Sequence, residues 1–217
     1  MIVIVAALKR EADKIIDEIK GKEELSIAGK TVFKGKLFGK DAAVIISGIG
    51  KVSAALATQA AIDRFSPEYV LNFGTAGGLG DRVKACGFYA VKRCCQHDFD
   101  LSDLDDVSRG YIQDYDAVYF PAETKGLNLP EVSLATADRF TCKENDLSAV
   151  ADMGCDVADM EGCAIAQVCL SNGVKFYCIK AVSDVIGSGT QSDDFNANMK
   201  KIAEEFPSVL KNAIENI

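Results

Sequence analysis

The chain contains a single histidine, His97, and no Cys-x-x-Cys among its eight cysteines, so the ligand spacings of a structural zinc site are missing. Adjacent Cys94 and Cys95 are poorly placed to share one metal or to pair with each other. Most of the others lie in apolar runs such as Val168-Cys169-Leu170 and Tyr177-Cys178-Ile179, which read as packed free thiols in a reducing compartment. Positive charge is not in excess either. The formal net charge is −8, which argues against a protein whose main partner is a phosphate backbone, while leaving room for local binding of a small anion. Long hydrophobic runs are missing too. Met1-Ile2-Val3-Ile4-Val5-Ala6-Ala7-Leu8 is too short to span a membrane, has no basic leader, and is followed at once by Lys9, Arg10 and Glu11. It reads as the buried first strand of a cytoplasmic protein, with neither nucleic acid nor membrane as partner. With no repeat, low-complexity tract or Pro/Ser-rich linker, residues 1–217 are expected to form one domain.

What is present suits a globular fold: 48% of residues are hydrophobic and 26% charged. Strand one, about residues 2–7, leads into a helix from about 10 to 20 with Ala12, Ile15, Ile16 and Ile19 on one face. Residues 31–38 and 42–47 read as strands joined by Gly39-Lys40-Asp41. Ser47-Gly48-Ile49-Gly50 opens a helix, and the buried strand Tyr69-Val70-Leu71-Asn72-Phe73 ends in a glycine turn, Gly74-Thr75-Ala76-Gly77-Gly78. Further strands fall near 87–92, 132–136 and 175–182, with helices over 161–171 and 193–215, the last one kinked or interrupted by Pro207. Residues 98–130, rich in Asp, read as a loop or lid. Strands alternating with helices predict an α/β fold, a three-layer α/β/α sandwich around a central mixed, mostly parallel sheet.

Ligands of such sheets bind beyond the carboxyl ends of the strands. Four polar or glycine-rich segments follow apolar strands here: Glu11, Ser47-Gly48-Ile49-Gly50, Gly74 to Gly78, and Ser183-Asp184. Together they would make a cleft for a polar small molecule. Each has a plainer reading alone: Glu11 as a solvated residue favoured by the helix dipole, Asp184 as a cap, the glycines as positive-φ positions. Neither glycine segment fits a dinucleotide fingerprint or a phosphate loop. In Asp159-Met160-Glu161, Asp159 suits a helix cap, whereas Glu161 precedes a face of small apolar residues where a carboxylate could take two hydroxyl hydrogen bonds, as on a ribose.

In chain order, Ala7-Leu8-Lys9-Arg10-Glu11, Ser47-Gly48-Ile49-Gly50-Lys51-Val52, Asn72-Phe73-Gly74-Thr75-Ala76-Gly77-Gly78-Leu79, Asp159-Met160-Glu161-Gly162 and Ala181-Val182-Ser183-Asp184 resemble the 5′-methylthioadenosine/S-adenosylhomocysteine nucleosidases, within the nucleoside phosphorylase superfamily. The resemblance runs from the first strand to the last helix. It implies a hydrolase that releases adenine from a purine nucleoside, with no metal or organic cofactor, and a homodimer. By that resemblance Glu11 activates the attacking water, Met160 and Glu161 hold the ribose, and Asp184, beside Ser183, protonates purine N7. Phe140 stacks on the base, Thr141 offers backbone groups to its edge, and Thr75 stands where the family usually has serine. Leu8, Ile49 and Leu104 are candidates for an apolar 5′ pocket.

Phosphorylases of the superfamily hold phosphate with arginines, one of them two residues before the glycine segment, where this chain has Asn72; water is therefore the expected nucleophile. Lys51, the nearest cation, reads as a helix-surface residue. The chain departs from the nucleosidase pattern at Lys180, where an arginine is usual and whose planar fork is lost. It departs again at 187–192, with Phe195 the nearest aromatic before the final helix. A phosphate-dependent phosphorylase, a non-catalytic nucleoside-binding protein and a related hydrolase of another purine nucleoside, such as futalosine, are the alternative readings. Dimer contacts are expected at the Ile49-Gly50-Lys51-Val52 helix start and the 98–115 loop.

Overall fold

The computed structural model describes residues 1–104, 106–141, 144–186 and 191–217. Within them the chain runs β1 (Ile2–Ala6), α1 (Lys9–Asp17), β2 (Lys20–Ile27), β3 (Lys30–Leu37), β4 (Lys40–Ile46), α2 (Lys51–Phe65), β5 (Tyr69–Gly78) and β6 (Phe88–Gln96). It continues through β7 (Phe120–Pro121), β8 (Glu131–Thr136), α3 (Glu144–Asp152), β9 (Val157–Asp159), α4 (Gly162–Ser171), β10 (Lys175–Val185) and α5 (Gln191–Asn216).

Strand β1 is apolar at every position because both of its faces are covered. Val3 and Val5 pack with Ala54, Ala57 and Ala61 of α2 and Cys163 and Ile165 of α4. Ile2, Ile4 and Ala6 point the other way, to Ala12, Ile15 and Ile16 of α1 and to Ile202, Phe206 and Leu210 of α5. Helix α1 packs on α5, and α2 on α4, so each face carries a helix pair. This is the expected helix–sheet–helix layering.

The sheet is mixed. Parallel ladders join β4, β1, β5 and β10, while β4, β3 and β2 form an antiparallel edge. The other side curls. Strand β10 also pairs with β6, β6 with β8, β8 with β9, and β9 returns to β5, so five strands close into a ring. Closure pairs strand edges that would otherwise be open.

Several boundaries differ from the sequence expectation. Helix α1 stops at Asp17, and β2 takes over from Lys20 as an edge strand whose first five residues are exposed. The expected glycine turn is strand: β5 runs through Gly78, paired to β10 along its whole length. These glycines are required by crowding rather than by turning. A Cβ on Gly77 would meet Ile186 at 2.8 Å and Asp184 Oδ2 at 3.2 Å, and one on Gly78 would meet Val83 at 2.6 Å. Ser183 and Asp184 likewise sit inside β10 rather than after it. Helix α5 passes Pro207 without a break, its inner face of Ile202, Phe206 and Leu210 fully packed. The described residues of 98–130 are mostly irregular, with one 3-10 turn at Gln113–Tyr115 and the short β7 among them. Of the segment 187–192, residues 187–190 lie outside the described residues, as does Cys142; the seven described cysteines are free thiols. Among the described residues no helix is long and apolar enough to cross a membrane.

Candidate active site

A cavity of about 380 Å³ opens at the carboxyl end of β1, β5 and β10. It is lined by Leu8, Glu11, Ile49, Thr75, Phe140, Thr141, Met160, Glu161, Ser183 and Asp184, so segments from six parts of the chain meet there. Lys180 and Leu104 are the exceptions. Lys180 is buried beneath the lining, and Leu104 is 78% exposed. Gln191, Phe195, Arg10 and Arg139 complete much of the wall.

Glu11 is not the solvated residue its position suggested, being 3% exposed. The first turn of α1 carries it over β5, where Thr75 donates both its backbone N–H and its hydroxyl to Oε1, each at 3.0 Å. The Leu8 N–H donates to Oε2 at 3.1 Å. Three donors fix the carboxylate at the cavity floor. Gly74 is glycine beside it because a Cβ would lie 3.4 Å from Glu11 Oε1 and 3.7 Å from Lys180 Nζ.

Asp159 and Glu161 enter on the turn between β9 and α4. Asp159 Oδ1 accepts the Thr136 hydroxyl at 2.6 Å, and Oδ2 accepts the Gly162 N–H at 2.8 Å, so the capping reading holds. The same Oδ2 lies 2.8 Å from Lys180 Nζ, a buried ion pair that the capping reading alone did not include. Glu161 Oε1 accepts the Gly50 N–H at 2.9 Å. That N–H is aimed by a backbone with φ of 96° at the start of α2, a conformation open to glycine. Burial, then the charge of Asp159, pushes the Glu161 carboxyl up to about 7, against the opposing pull of Lys180 and Gly50. Burial alone would lower the Lys180 ammonium, but Asp159, Cys178 and Glu161 more than reverse this and hold it charged.

Asp184 projects from β10, 1% exposed. Its Oδ1 accepts the Ser183 hydroxyl at 2.6 Å, while Oδ2 has no hydrogen-bond partner among the described residues. Burial raises its pKa; the Ser183 and Gln191 hydrogen bonds oppose that rise, and Asp194 adds to it. A carboxyl that burial makes a weaker acid and that keeps one oxygen without a hydrogen bond is suited to donate a proton to a ligand.

Phe140 rides on a loop tied down through Asp138, whose Oδ1 accepts the Lys51 N–H at 2.7 Å and whose own N–H donates to Asp98 Oδ2 at 2.8 Å. Lys51 is thus no plain surface residue: its ammonium lies 2.7 Å from Asp98 Oδ1 and 2.9 Å from Gln96 Oε1. Phe140 meets Phe195 edge to face at 6.3 Å. The Thr141 carbonyl accepts the Gln191 amide at 2.8 Å, and its hydroxyl lies 3.3 Å from His97 Nε2. Arg10, with its guanidinium 5.4 Å above the Phe195 ring, and Arg139 also line the cavity; the sequence reading gave neither a role, although Arg10 lies within Ala7-Leu8-Lys9-Arg10-Glu11.

The profile of the Phosphorylase superfamily matches residues 1–215. A 5′-methylthioadenosine/S-adenosylhomocysteine nucleosidase from Colwellia psychrerythraea strain 34H is 33% identical over 203 residues, covering 85% of this chain and 83% of that protein. The chain belongs to this nucleosidase family. A crystal structure of a nucleosidase from the same organism, in complex with adenine, superposes with a TM-score of 0.91 at 28% identity, covering 99% of this chain and 94% of that one. A futalosine hydrolase of Helicobacter pylori gives the same TM-score and identity, covering 100% and 97%. Within this family the chain is an enzyme of the N-glycosidic hydrolase type, and Asn72 stands clear of the cavity. That residue is 1% exposed and its amide donates to the Val5 carbonyl at 3.0 Å, leaving it outside the cavity.

Proposed function

We propose that this protein hydrolyses the N-glycosidic bond of 5′-methylthioadenosine and S-adenosylhomocysteine, releasing adenine. The observation that carries the reading is the pairing of two differently placed carboxyls on one cavity: Glu11 with three fixed donors, and Asp184 with a raised pKa and an uncommitted Oδ2. Asp184 gives its proton to N7 as the C1′–N9 bond breaks, which turns the purine into a neutral leaving group. Water then forms the new C1′–O bond and passes its proton to Glu11. A proton donor and a proton acceptor divide the labour as in glycosidases. Glu161 and Met160 hold the ribose, Phe140 faces the base, and Leu8 and Ile49 meet the 5′ thioether.

Water rather than phosphate is the nucleophile in this reading because the floor has no cation to spare. Lys180, its only buried lysine or arginine among the described residues, is committed to Asp159. The test is adenine release from methylthioadenosine, S-adenosylhomocysteine and adenosine, with and without phosphate. Phosphate-independent release with a free pentose supports hydrolysis. A sugar 1-phosphate product would make the enzyme a phosphorylase, and no release at all would favour a nucleoside-binding protein.

A cytoplasmic homodimer completes the proposal. Ile49, Val52 and Leu56 leave 53%, 79% and 49% of their surface exposed along the start of α2, a patch larger than a scattered surface residue explains. Ile49 also lines the cavity, so a partner covering this patch would finish the 5′ side of the site. Val52→Glu should shift the sedimentation of the protein from dimer to monomer.

A further inference from the structure

Lys51 opens α2 as Lys9 opens α1, yet its side chain is 16% exposed where that of Lys9 is 62%. Its backbone N–H donates to Asp138 Oδ1 at 2.7 Å, one residue after the Gly50 N–H donates to Glu161 Oε1 at 2.9 Å. Consecutive N–H groups of one helix start are thus matched to two acids. Glu161 comes from the β9–α4 turn, and Asp138 from the segment that brings Phe140 to the cavity rim. The Lys51 ammonium closes a circuit with the second acid: it lies 2.7 Å from Asp98 Oδ1, while Asp98 Oδ2 accepts the Asp138 N–H at 2.8 Å. Burial would raise the Asp98 carboxyl, but the Lys51 ammonium and the Asp138 N–H outweigh it and hold the group below the usual carboxylate range. Gln96 Oε1 accepts from the same ammonium at 2.9 Å, and its amide donates to Gln167 of α4. One cation ties α2, the end of β6, α4 and the Phe140 segment together.

We propose that Lys51 is a positioning residue for base binding: through Asp98 and Asp138 it fixes the segment that sets Phe140 against the purine, without lining the cavity itself. This rests on the nucleosidase reading above, in which Phe140 faces the base. Phe140 is 45% exposed, so burial does little to hold it in place. Its support comes from Asp138 two residues before it and from the Thr141–Gln191 hydrogen bond just after it. Without the ammonium, the Asp98 and Asp138 carboxylates would face each other unscreened, and repulsion would loosen the first of these supports. The ribose side is built differently. Glu161 is held by a backbone N–H, which persists whatever side chain stands at position 51. Loss of the ammonium therefore weakens the grip on the base and spares the grip on the sugar, because a loosened Phe140 must be ordered again at each binding event.

The experiment measures binding of adenine and of 5-methylthioribose separately, by calorimetry, to the full-length enzyme and to Lys51→Met and Lys51→Arg, together with kcat and KM for methylthioadenosine. Lys51→Met should weaken adenine binding by about tenfold, the upper end of the cost of ordering one side chain, and leave methylthioribose within about twofold. KM should rise with kcat nearly unchanged, as for the loss of binding shared by ground state and transition state. Lys51→Arg, which keeps the charge, should recover most of the adenine affinity. Asp98→Asn is the second variant, for use if Lys51→Met does not fold, and should show the same asymmetry in smaller measure. Combining it with Lys51→Met should add no further loss, since the two residues act as one unit. Unchanged adenine binding, or equal weakening of adenine and methylthioribose, overturns the positioning role while leaving nucleosidase activity in place. An unmodified enzyme that neither binds adenine nor releases it from methylthioadenosine would overturn the underlying reading and this proposal with it.

Discussion

Lys180 Nζ lies 2.8 Å from Asp159 Oδ2, with the two side chains 2% and 1% exposed. Glu161 lies close enough to help hold this ammonium charged, and Glu11 approaches it across Gly74. One cation therefore balances a group of buried carboxylates. Such pairs contribute little net stability when intact, but removing one partner strands the other charge.

Replacing Lys180 by Met should accordingly destabilise the fold by about 3–5 kcal/mol. Urea unfolding measures this directly. Adding Asp159→Asn to that variant should recover part of the loss, since the stranded charge is then gone. A single variant within about 0.5 kcal/mol of the parent would show that the pair does not neutralise the floor.

Glu161 sets a pH dependence of stability. Its proton leaves near the ordinary value of 4.5 in the unfolded chain and near 7 in the folded one. Between those values the folded state still holds a proton that the unfolded state has released, so stability is full below about pH 4.5 and declines as pH rises towards 7. The slope is at most about 1.4 kcal/mol per pH unit. Unfolding free energies measured from pH 4.5 to 8 should show this decline, and Glu161→Gln should flatten it. An identical slope in the variant would assign the dependence to other groups.

The Ser183 hydroxyl, 2.6 Å from Asp184 Oδ1, favours the ionised form of the acid that burial otherwise disfavours. Ser183→Ala should raise the Asp184 pKa further and move the alkaline limb of the kcat/KM profile to higher pH. Asp184→Asn should lower turnover by ~10²–10⁴-fold with the circular dichroism spectrum unchanged. An unmoved limb in the first variant, or near-normal turnover in the second, would remove Asp184 as the proton donor.

The layered fold and most of the cavity lining were legible in the chain because apolar strands ending in polar residues mark a sheet edge. What was hidden has physical causes. Strand β2 opens with Lys20-Gly21-Lys22-Glu23-Glu24, exposed throughout, so it shows no alternation to read. Gly74 to Gly78 looked like punctuation, since glycine's common use is to turn the chain, whereas here its use is to leave room for Glu11, Asp184 and Val83. Ring closure of β5, β6, β8, β9 and β10 depends on register between distant strands, which local patterning does not encode. Lys180 was noticed as a departure, but its partner Asp159 could be assigned only once β9 and β10 were placed in space.

Because Asp184 sits within the β5–β10 ladder and Glu11 is clamped to β5, the two carboxyls proposed to act on the glycosidic bond share the rigidity of the sheet. The rim is built differently, from the helix starts at Arg10 and Ile49 and the short loop holding Arg139 and Phe140. Substrate range and reaction type are therefore separable in this scaffold. An engineer could rewrite what the enzyme accepts by changing four or five exposed positions, whereas altering the bond it breaks would mean rebuilding the central strands themselves.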